Sequence, residues 1–517
     1  MRMNHLFILA PLALSGCADY ALQTAEDGYR GDSGWAGSAD SASSENDPND
    51  DTDLGSETEA DFLKLAPSAT QAYVFVVNSA RNTVSRISVP ELDVLTTDVG
   101  IDPTVAVTTQ DYSRAVVFNA GSDEVSLIDA ETMEVNNVEV RSNYNNMVLS
   151  SDGTWALIYN DADLPQGTST GNLQSFNEIS LVHTLTGEHI SMAVGFHPRQ
   201  VAFTPDSSQV LVVAEGTMAI LDLDAESIKP RLVELDEGSL DPAQAEEIII
   251  EPTGTFAFVR QFGENELVIV ELANENLSRV NIGFNPTDLD LSPDGTLAVV
   301  VSRGSNELHI LDAQDPLGPK SVVALPEGET LGSLQFSPDG TKGILYTTAT
   351  PVAHYTTWDL ETDQVKVRDL EKPVASVSVS PTGGTLLILH SLEDDPETPS
   401  SSPFYGQHAL TMIDLDSFLA NPLLLPAKPS ATANSADGLY GYFIMDGVSS
   451  LAVLHYEQLL FDEVPLRSAP VHLGVLPESS LAFVNQEHPL GRLSFYEPST
   501  QELQTITGFE LNAEIEH

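Results

Sequence analysis

The sequence predicts an all-β fold, on three observations. A polar turn typified by Ser292-Pro293-Asp294-Gly295 recurs along most of the 517 residues. Each copy feeds a short run rich in β-branched residues, here Leu297-Ala298-Val299-Val300-Val301, which is strand composition. Most copies stand about 40 to 45 residues apart, the period of a four-stranded propeller blade. Long segments with a 3.6-residue period are scarce, which argues against helical repeats of similar length. The expected architecture is a single large β-propeller of four-stranded blades.

The turn has a physical reason at each position. Proline presets φ, aspartate tolerates the turn and caps it, and glycine takes a φ that β-branched residues cannot. Further copies are Ser337-Pro338-Asp339-Gly340, Ser151-Asp152-Gly153, Thr204-Pro205-Asp206-Ser207, Glu251-Pro252-Thr253-Gly254, Ser380-Pro381-Thr382-Gly383, Ser435-Ala436-Asp437-Gly438 and Leu476-Pro477-Glu478-Ser479, with Gln110-Asp111-Tyr112-Ser113 in the equivalent early place.

Read from the start, Arg2 precedes the apolar run Leu6-Phe7-Ile8-Leu9-Ala10-Pro11-Leu12-Ala13-Leu14. Its charge and length are those of a secretory signal, too short for a mature spanning helix. Leu14-Ser15-Gly16-Cys17 follows and resembles the bacterial lipobox. That resemblance implies removal of residues 1–16, lipidation of Cys17, and a chain held to the membrane by acyl groups rather than by a helix. With Ala18 directly after the cysteine and Asp19 one further on, the sorting pattern favours the outer over the inner membrane, facing either the periplasm or the exterior.

Residues 17–66 change to Ser, Gly, Ala, Asn, Asp and Glu and bury too little apolar surface to offset chain entropy. The expectation is a disordered acidic tether, with the propeller over 67–517. Arg30-Gly31-Asp32 in the tether resembles an adhesion tripeptide, a motif short enough to arise by chance in a biased segment.

The repeats open at Tyr73-Val74-Phe75-Val76-Val77-Asn78, followed by Asn82-Thr83-Val84-Ser85-Arg86-Ile87. These resemble the Tyr-Val-Thr-Asn and Asn-Thr-Val-Ser-Val-Ile-Asp strands of the YVTN family of β-propeller repeats. Later copies of the second element include Glu124-Val125-Ser126-Leu127-Ile128-Asp129 and Glu307-Leu308-His309-Ile310-Leu311-Asp312. Asp129, Asp222, Asp312, Asp359 and Asp414 close these strands and are expected to bond the backbone of the following turn.

A complete unit reads as an innermost strand after an X-Pro step, then the turn, a second strand, a third strand and a polar outer strand. Nine units begin with their innermost strand, near Asp102, Arg141, His197, Ala245, Asn285, Thr330, Lys372, Lys428 and Ala469. The first unit starts at its second strand, Tyr73, and Gly508 to Glu516 mimics an innermost strand after the last complete unit. The expectation is ten blades in one ring, with the final strand clasping the first blade so that no sheet edge stays open.

The totals exclude several functions. With 77 acidic against 21 basic residues, a formal charge of −56 repels phosphate, and nucleic acid is excluded as a partner. One cysteine leaves no intramolecular disulfide, Cys-rich zinc site or haem attachment. No P-loop, dinucleotide fingerprint or HExxH occurs. No catalytic residue, metal ligand or cofactor is assigned.

Two units carry insertions between second and third strands, Asp161 to Asn177 and Leu392 to Gln407. Both are expected on the face where links enter the innermost strands, and loops on a rigid scaffold are where recognition usually resides. The candidate ligand-face residues are therefore His197 and His472 in such links, with Asp394, Asp395 and Tyr405 in the second insertion. The function expected is a monomeric, lipid-anchored cell-envelope module that binds or scaffolds a protein or glycan without catalysis. The alternatives are a hydrolase, implied by the resemblance of YVTN-like blades to lactonases acting at the ring mouth, and a surface adhesin.

Overall fold

A computed structural model describes residues 68–79, 81–161, 176–235, 245–261, 263–326, 328 and 330–509. The signal and tether, residues 1–66, lie outside the described residues. The described residues form ten antiparallel sheets in chain order, nine of four strands and one of three. The sixth sheet shows the pattern: Pro286–Leu291, Leu297–Ser302, Glu307–Asp312 and Ser321–Ala324 pair side by side.

The burial of each strand follows from its place in the blade. A second strand such as Leu297–Ser302 is buried along nearly its whole length, because neighbouring blades cover both faces and reward a continuous apolar run. An outer strand such as Gln364–Asp369 alternates between exposed and half-buried positions, as a solvent-side strand does.

Apolar clusters fill the junctions between consecutive blades. Val299, Leu308, Leu334 and Trp358 join the sixth to the seventh, and Phe258, Leu267, Leu289 and Val300 join the fifth to the sixth. Val74 and Ile87 of the first blade pack with Phe483, Phe495 and Phe509 from the other end of the chain. That contact closes the ring, so the chain is a ten-bladed β-propeller.

The recurring turn is built as its residues require. In the sixth blade Ser292 Oγ donates to Asp294 Oδ1 at 2.6 Å, and Thr296 N donates to the same oxygen at 3.1 Å. Gly295 sits at φ 68°, and a side chain there would meet the ring of Pro252 in the preceding blade. The third-strand aspartates bond their turns in the same way: Thr132 N donates to Asp129 at 2.8 Å, and Ser417 N to Asp414 at 2.7 Å.

The first blade has Tyr73–Asn78, Thr83–Ser88 and Val94–Asp98. Ala69 forms a bridge with Val74, and Phe75 N donates to Ser68 O at 3.2 Å. Ser68 and Ala69 thus occupy the end of the innermost position. Tyr73 N donates to Thr70 Oγ1 at 2.9 Å, as Leu297 N donates to Ser292 Oγ at 3.0 Å, so Thr70 takes the serine's part in a shorter turn. Of the expected clasp, Gly508 to Glu516, residues 510–516 lie outside the described residues. Phe509, the last described residue, is buried between the first and last blades.

Strand directions divide the ring into two faces. One carries the innermost turns and the third-to-fourth turns. The other, the mouth face, carries the links into the innermost strands and the loops between second and third strands. Innermost strands enter from the mouth face through a β-bulge in six blades, as between Pro103 and Val105 or Pro470 and His472. Bulges at a rim bend the strand and re-aim its side chains.

Candidate functional site on the mouth face

Three links share one construction that the sequence reading passed over. Gly100-Ile101-Asp102-Pro103, Gly195-Phe196-His197-Pro198 and Gly283-Phe284-Asn285-Pro286 enter blades two, four and six. The residue before each proline has a positive φ: 53° at Asp102, 53° at His197 and 51° at Asn285. Proline disfavours the right-handed helical region at that position, and the preceding apolar residue is left outside the core. Its carbonyl is fixed by the neighbouring loop: Gly121 N donates to Ile101 O at 2.9 Å, Glu215 N to Phe196 O at 2.9 Å, and Ser305 N to Phe284 O at 3.2 Å. Three large apolar side chains, Ile101, Phe196 and Phe284, consequently stand exposed on pinned backbone. The repeated Gly-apolar-X-Pro spacing was a signal available in the sequence.

The fourth blade adds polar groups to this device. His197 Nδ1 lies 2.9 Å from Glu215 Oε1, and Arg199 Nη2 lies 3.8 Å from the same oxygen. The His197 ring stacks on Phe196 with centroids 3.8 Å apart and meets the edge of Phe176 at 5.7 Å. His197 N also donates to Phe176 O at 2.8 Å. Phe176 is where the first insertion returns, next to Glu178, which pairs with Arg141 at 3.3 Å. At the insertion's other end Asp161 N donates to Asn145 Oδ1 at 2.7 Å, and Asn146 Nδ2 donates to Asp161 Oδ2 at 3.2 Å. The interior of that insertion, 162–175, lies outside the described residues.

The second insertion is fastened to the body. Lys372, fully buried in the link into the eighth blade, pairs with Asp394 Oδ1. The other Asp394 oxygen accepts Gly406 N at 2.8 Å, and Asp395 Oδ2 accepts Ala353 N of the seventh blade at 2.9 Å. Both carboxylates thus hold the loop in place, while Tyr405, beside the anchored Gly406, is 46% exposed. Beneath them His390 is buried, with Nδ1 3.1 Å from Pro373 O and Nε2 2.6 Å from Thr411 Oγ1. Desolvation pushes its pKa down from 6.5 to about 4, so the imidazole is neutral near pH 7.

His472 lies on the innermost strand Pro470–Val475 of the tenth blade, beside the bulge. It is exposed, and desolvation by the surrounding protein holds its pKa below the ordinary value. The five candidate residues do not converge on one point. His197 belongs to blade four, Asp394, Asp395 and Tyr405 to blade eight, and His472 to blade ten. What they share is the mouth side of the ring. No group of three His, Cys, Asp or Glu side chains is set to hold a metal among the described residues. Cys17 lies outside them.

No protein-family model matches the chain, and no curated protein matches it. Among solved structures it is similar to a eukaryotic initiation factor, over 76% of this chain and 96% of that one, at 12% identity and a TM-score of 0.52. It also aligns with the dihydro-heme d1 dehydrogenase NirN over 78% and 77% of the two chains, at 12% identity and a TM-score of 0.45. The Swd1 β-propeller domain from Myceliophteria thermophila aligns over 57% of this chain and 93% of its own, at 13% identity and a TM-score of 0.35. The likeness is one of fold.

Proposed function

We propose that this chain is a lipid-anchored, non-catalytic binding or scaffolding module of the bacterial cell envelope, with a protein or glycan as its partner. The observation that carries the binding role is the asymmetry of the ring. Both faces expose apolar side chains, Leu185, Leu317 and Leu419 on the turn face and Ile101, Phe196 and Phe284 on the mouth face, but the turn face is made of short self-bonded repeats, whereas the mouth face bears both insertions. A rigid scaffold presenting irregular loops on one face suits recognition.

The address rests on the sequence alone. The lipobox-like Leu14-Ser15-Gly16-Cys17 supports anchoring through Cys17, and Ala18 supports the outer membrane. The Tyr73–Ile87 stretch supports placement among YVTN-type repeats.

Mild crosslinking of intact cells, followed by capture of the full chain, tests the reading beside a Cys17→Ala variant. The expected result is a stoichiometric envelope partner recovered with the native chain and lost with the variant, which no longer fractionates with membranes. Efficient capture with nothing attached would overturn the scaffold role. A lactonase-like hydrolase would draw on the same His197–Glu215 pair, and lactone hydrolysis by the captured protein tests it.

A further inference from the structure

We propose that the seam between blades five and six carries an acid-operated release: a proton taken up by His309 expels Lys320 from its bond to blade five and loosens the link that bears Phe284. The device is independent of which partner the mouth face takes.

His309 is 4% exposed, in the third strand of blade six. Its Nε2 lies 3.1 Å from Glu307 Oε2, and its Nδ1 lies 3.1 Å from Lys320 Nζ. An ammonium donates and cannot accept, so Nδ1 is the acceptor, and the ring is the neutral tautomer whose Nε2–H donates to the carboxylate. Lys320 Nζ donates also to Asn281 O, at the end of the outer strand of blade five. The series Glu307, His309, Lys320, Asn281 therefore ties the two blades together where the Gly283-Phe284-Asn285-Pro286 link begins. A side chain at Gly283 would stand 2.7 Å from His309 Nε2, so the ring lies against the underside of that link.

A second proton on the ring reverses the Nδ1 contact. Nδ1–H then points at an ammonium, donor against donor and charge against charge, while the Nε2–H bond to Glu307 becomes an ion pair. Lys320 is half-buried on a flexible stem and swings into water, whereas His309 is enclosed. Asn281 O loses the ammonium, and the brace across the seam opens. Protonation and release reinforce one another. Burial first, and then Lys320, hold the His309 pKa below 6.5 against the pull of Glu307, so departure of Lys320 makes the ring easier to protonate. The charged side chains that face the ring are Glu307 and Lys320, both of blade six, and blade five brings to it the backbone of Asn281 and Gly283. The links that bear Ile101 and Phe196 lack the device. The strand positions of Glu307 and His309 are held by Glu124 and Ser126 in blade two, and by Thr217 and Ala219 in blade four.

The test is hydrogen exchange of the full chain at about pH 7.5 and about pH 5, either side of the ordinary histidine pKa, corrected for the intrinsic pH dependence of amide exchange. In the native chain, residues 281–285 and the strand Ser321–Ala324 are expected to exchange roughly tenfold or more faster in acid. Gln364–Asp369 of blade seven, an outer strand without such a brace, serves as the reference. Lys320→Met keeps the stem but cannot donate, and should exchange fast at both pH values. His309→Gln should show no acid acceleration, whatever its starting rate. Absence of the acid step in the native chain, its persistence in either variant, or an equal step in Gln364–Asp369 overturns the proposal. If His309→Gln does not fold, Lys320→Met decides alone, because its side chain is half outside the protein.

Discussion

At the scale of single residues, two kinds of titrating group set the acid response in separate pH windows. His390 is buried and neutral, its pKa pushed down to about 4 by desolvation. The unfolded chain takes up a proton there below the ordinary value near 6.5, and the folded chain does not until about pH 4. Stability therefore falls as pH drops through that window, by about 3 kcal/mol in all. The turn aspartates act in the same direction, in a lower window. Hydrogen bonds, first from the Thr204 and Ser292 hydroxyls, hold Asp206 and Asp294 below the usual carboxylate range. Their contribution is intact above the unfolded carboxylate pKa and is lost only as pH falls through the lowered one. A His390→Gln variant should accordingly show a flatter fall in denaturation midpoint between pH 6.5 and 4.5, by about one proton in the linkage slope. An unchanged slope would mean that another group dominates the window.

At the scale of elements, the second insertion depends on one buried ion pair. Removing one member of such a pair leaves the other uncompensated in a poorly solvated place, at a cost of about 3–5 kcal/mol. Lys372→Met should therefore free the loop from its seat, and limited chymotrypsin digestion should cut after Phe404 or Tyr405 much faster than in the native chain. Equal cleavage rates would show that the Asp395–Ala353 bond and the loop's own turns suffice. This lock was not legible in the sequence. Lys372 and Asp394 lie in different connections of the eighth blade, with no periodic relation between them. The innermost strands were legible because a turn of fixed chemistry follows each: the starts read near Asp102, Asn285, Lys428 and Ala469 precede strands beginning at Pro103, Pro286, Pro429 and Pro470. The first blade's innermost segment escaped notice because Thr70-Gln71-Ala72 replaces the longer motif there, and only the backbone pairing of Ala69 with Val74 reveals the equivalence. Of the mouth face, His197 is legible from its place in a link. Phe196 before it is not, because an exposed phenylalanine carries no sequence mark unless the three links are laid side by side.

At the scale of the whole molecule, ring closure concentrates in one apolar junction. Phe509 is buried with Val74, Ile87, Phe483 and Phe495. Truncating a buried phenylalanine to alanine typically costs about 3–5 kcal/mol, and here the loss falls on the junction between the chain's two ends. Hydrogen exchange of Phe509→Ala should accelerate in the strands Tyr73–Asn78 and Ala482–Gln486, with Phe256–Gln261 and Leu297–Ser302 little affected. Acceleration spread evenly around the ring would mean that closure is shared by every blade. The innermost turns carry a further consequence, for ancestry. The glycine of one turn faces the preceding turn's proline or its neighbour: Gly295 faces Pro252, Gly340 faces Pro293, and Gly383 faces Pro338. The residues that pack against one another therefore sit in two adjacent copies, so what descends as a unit is the seam between blades. A duplication or deletion cut at the same point of both copies preserves every seam, whereas drift within one copy strains two. Rings of this kind can gain or lose whole repeats more readily than any single repeat can wander in sequence.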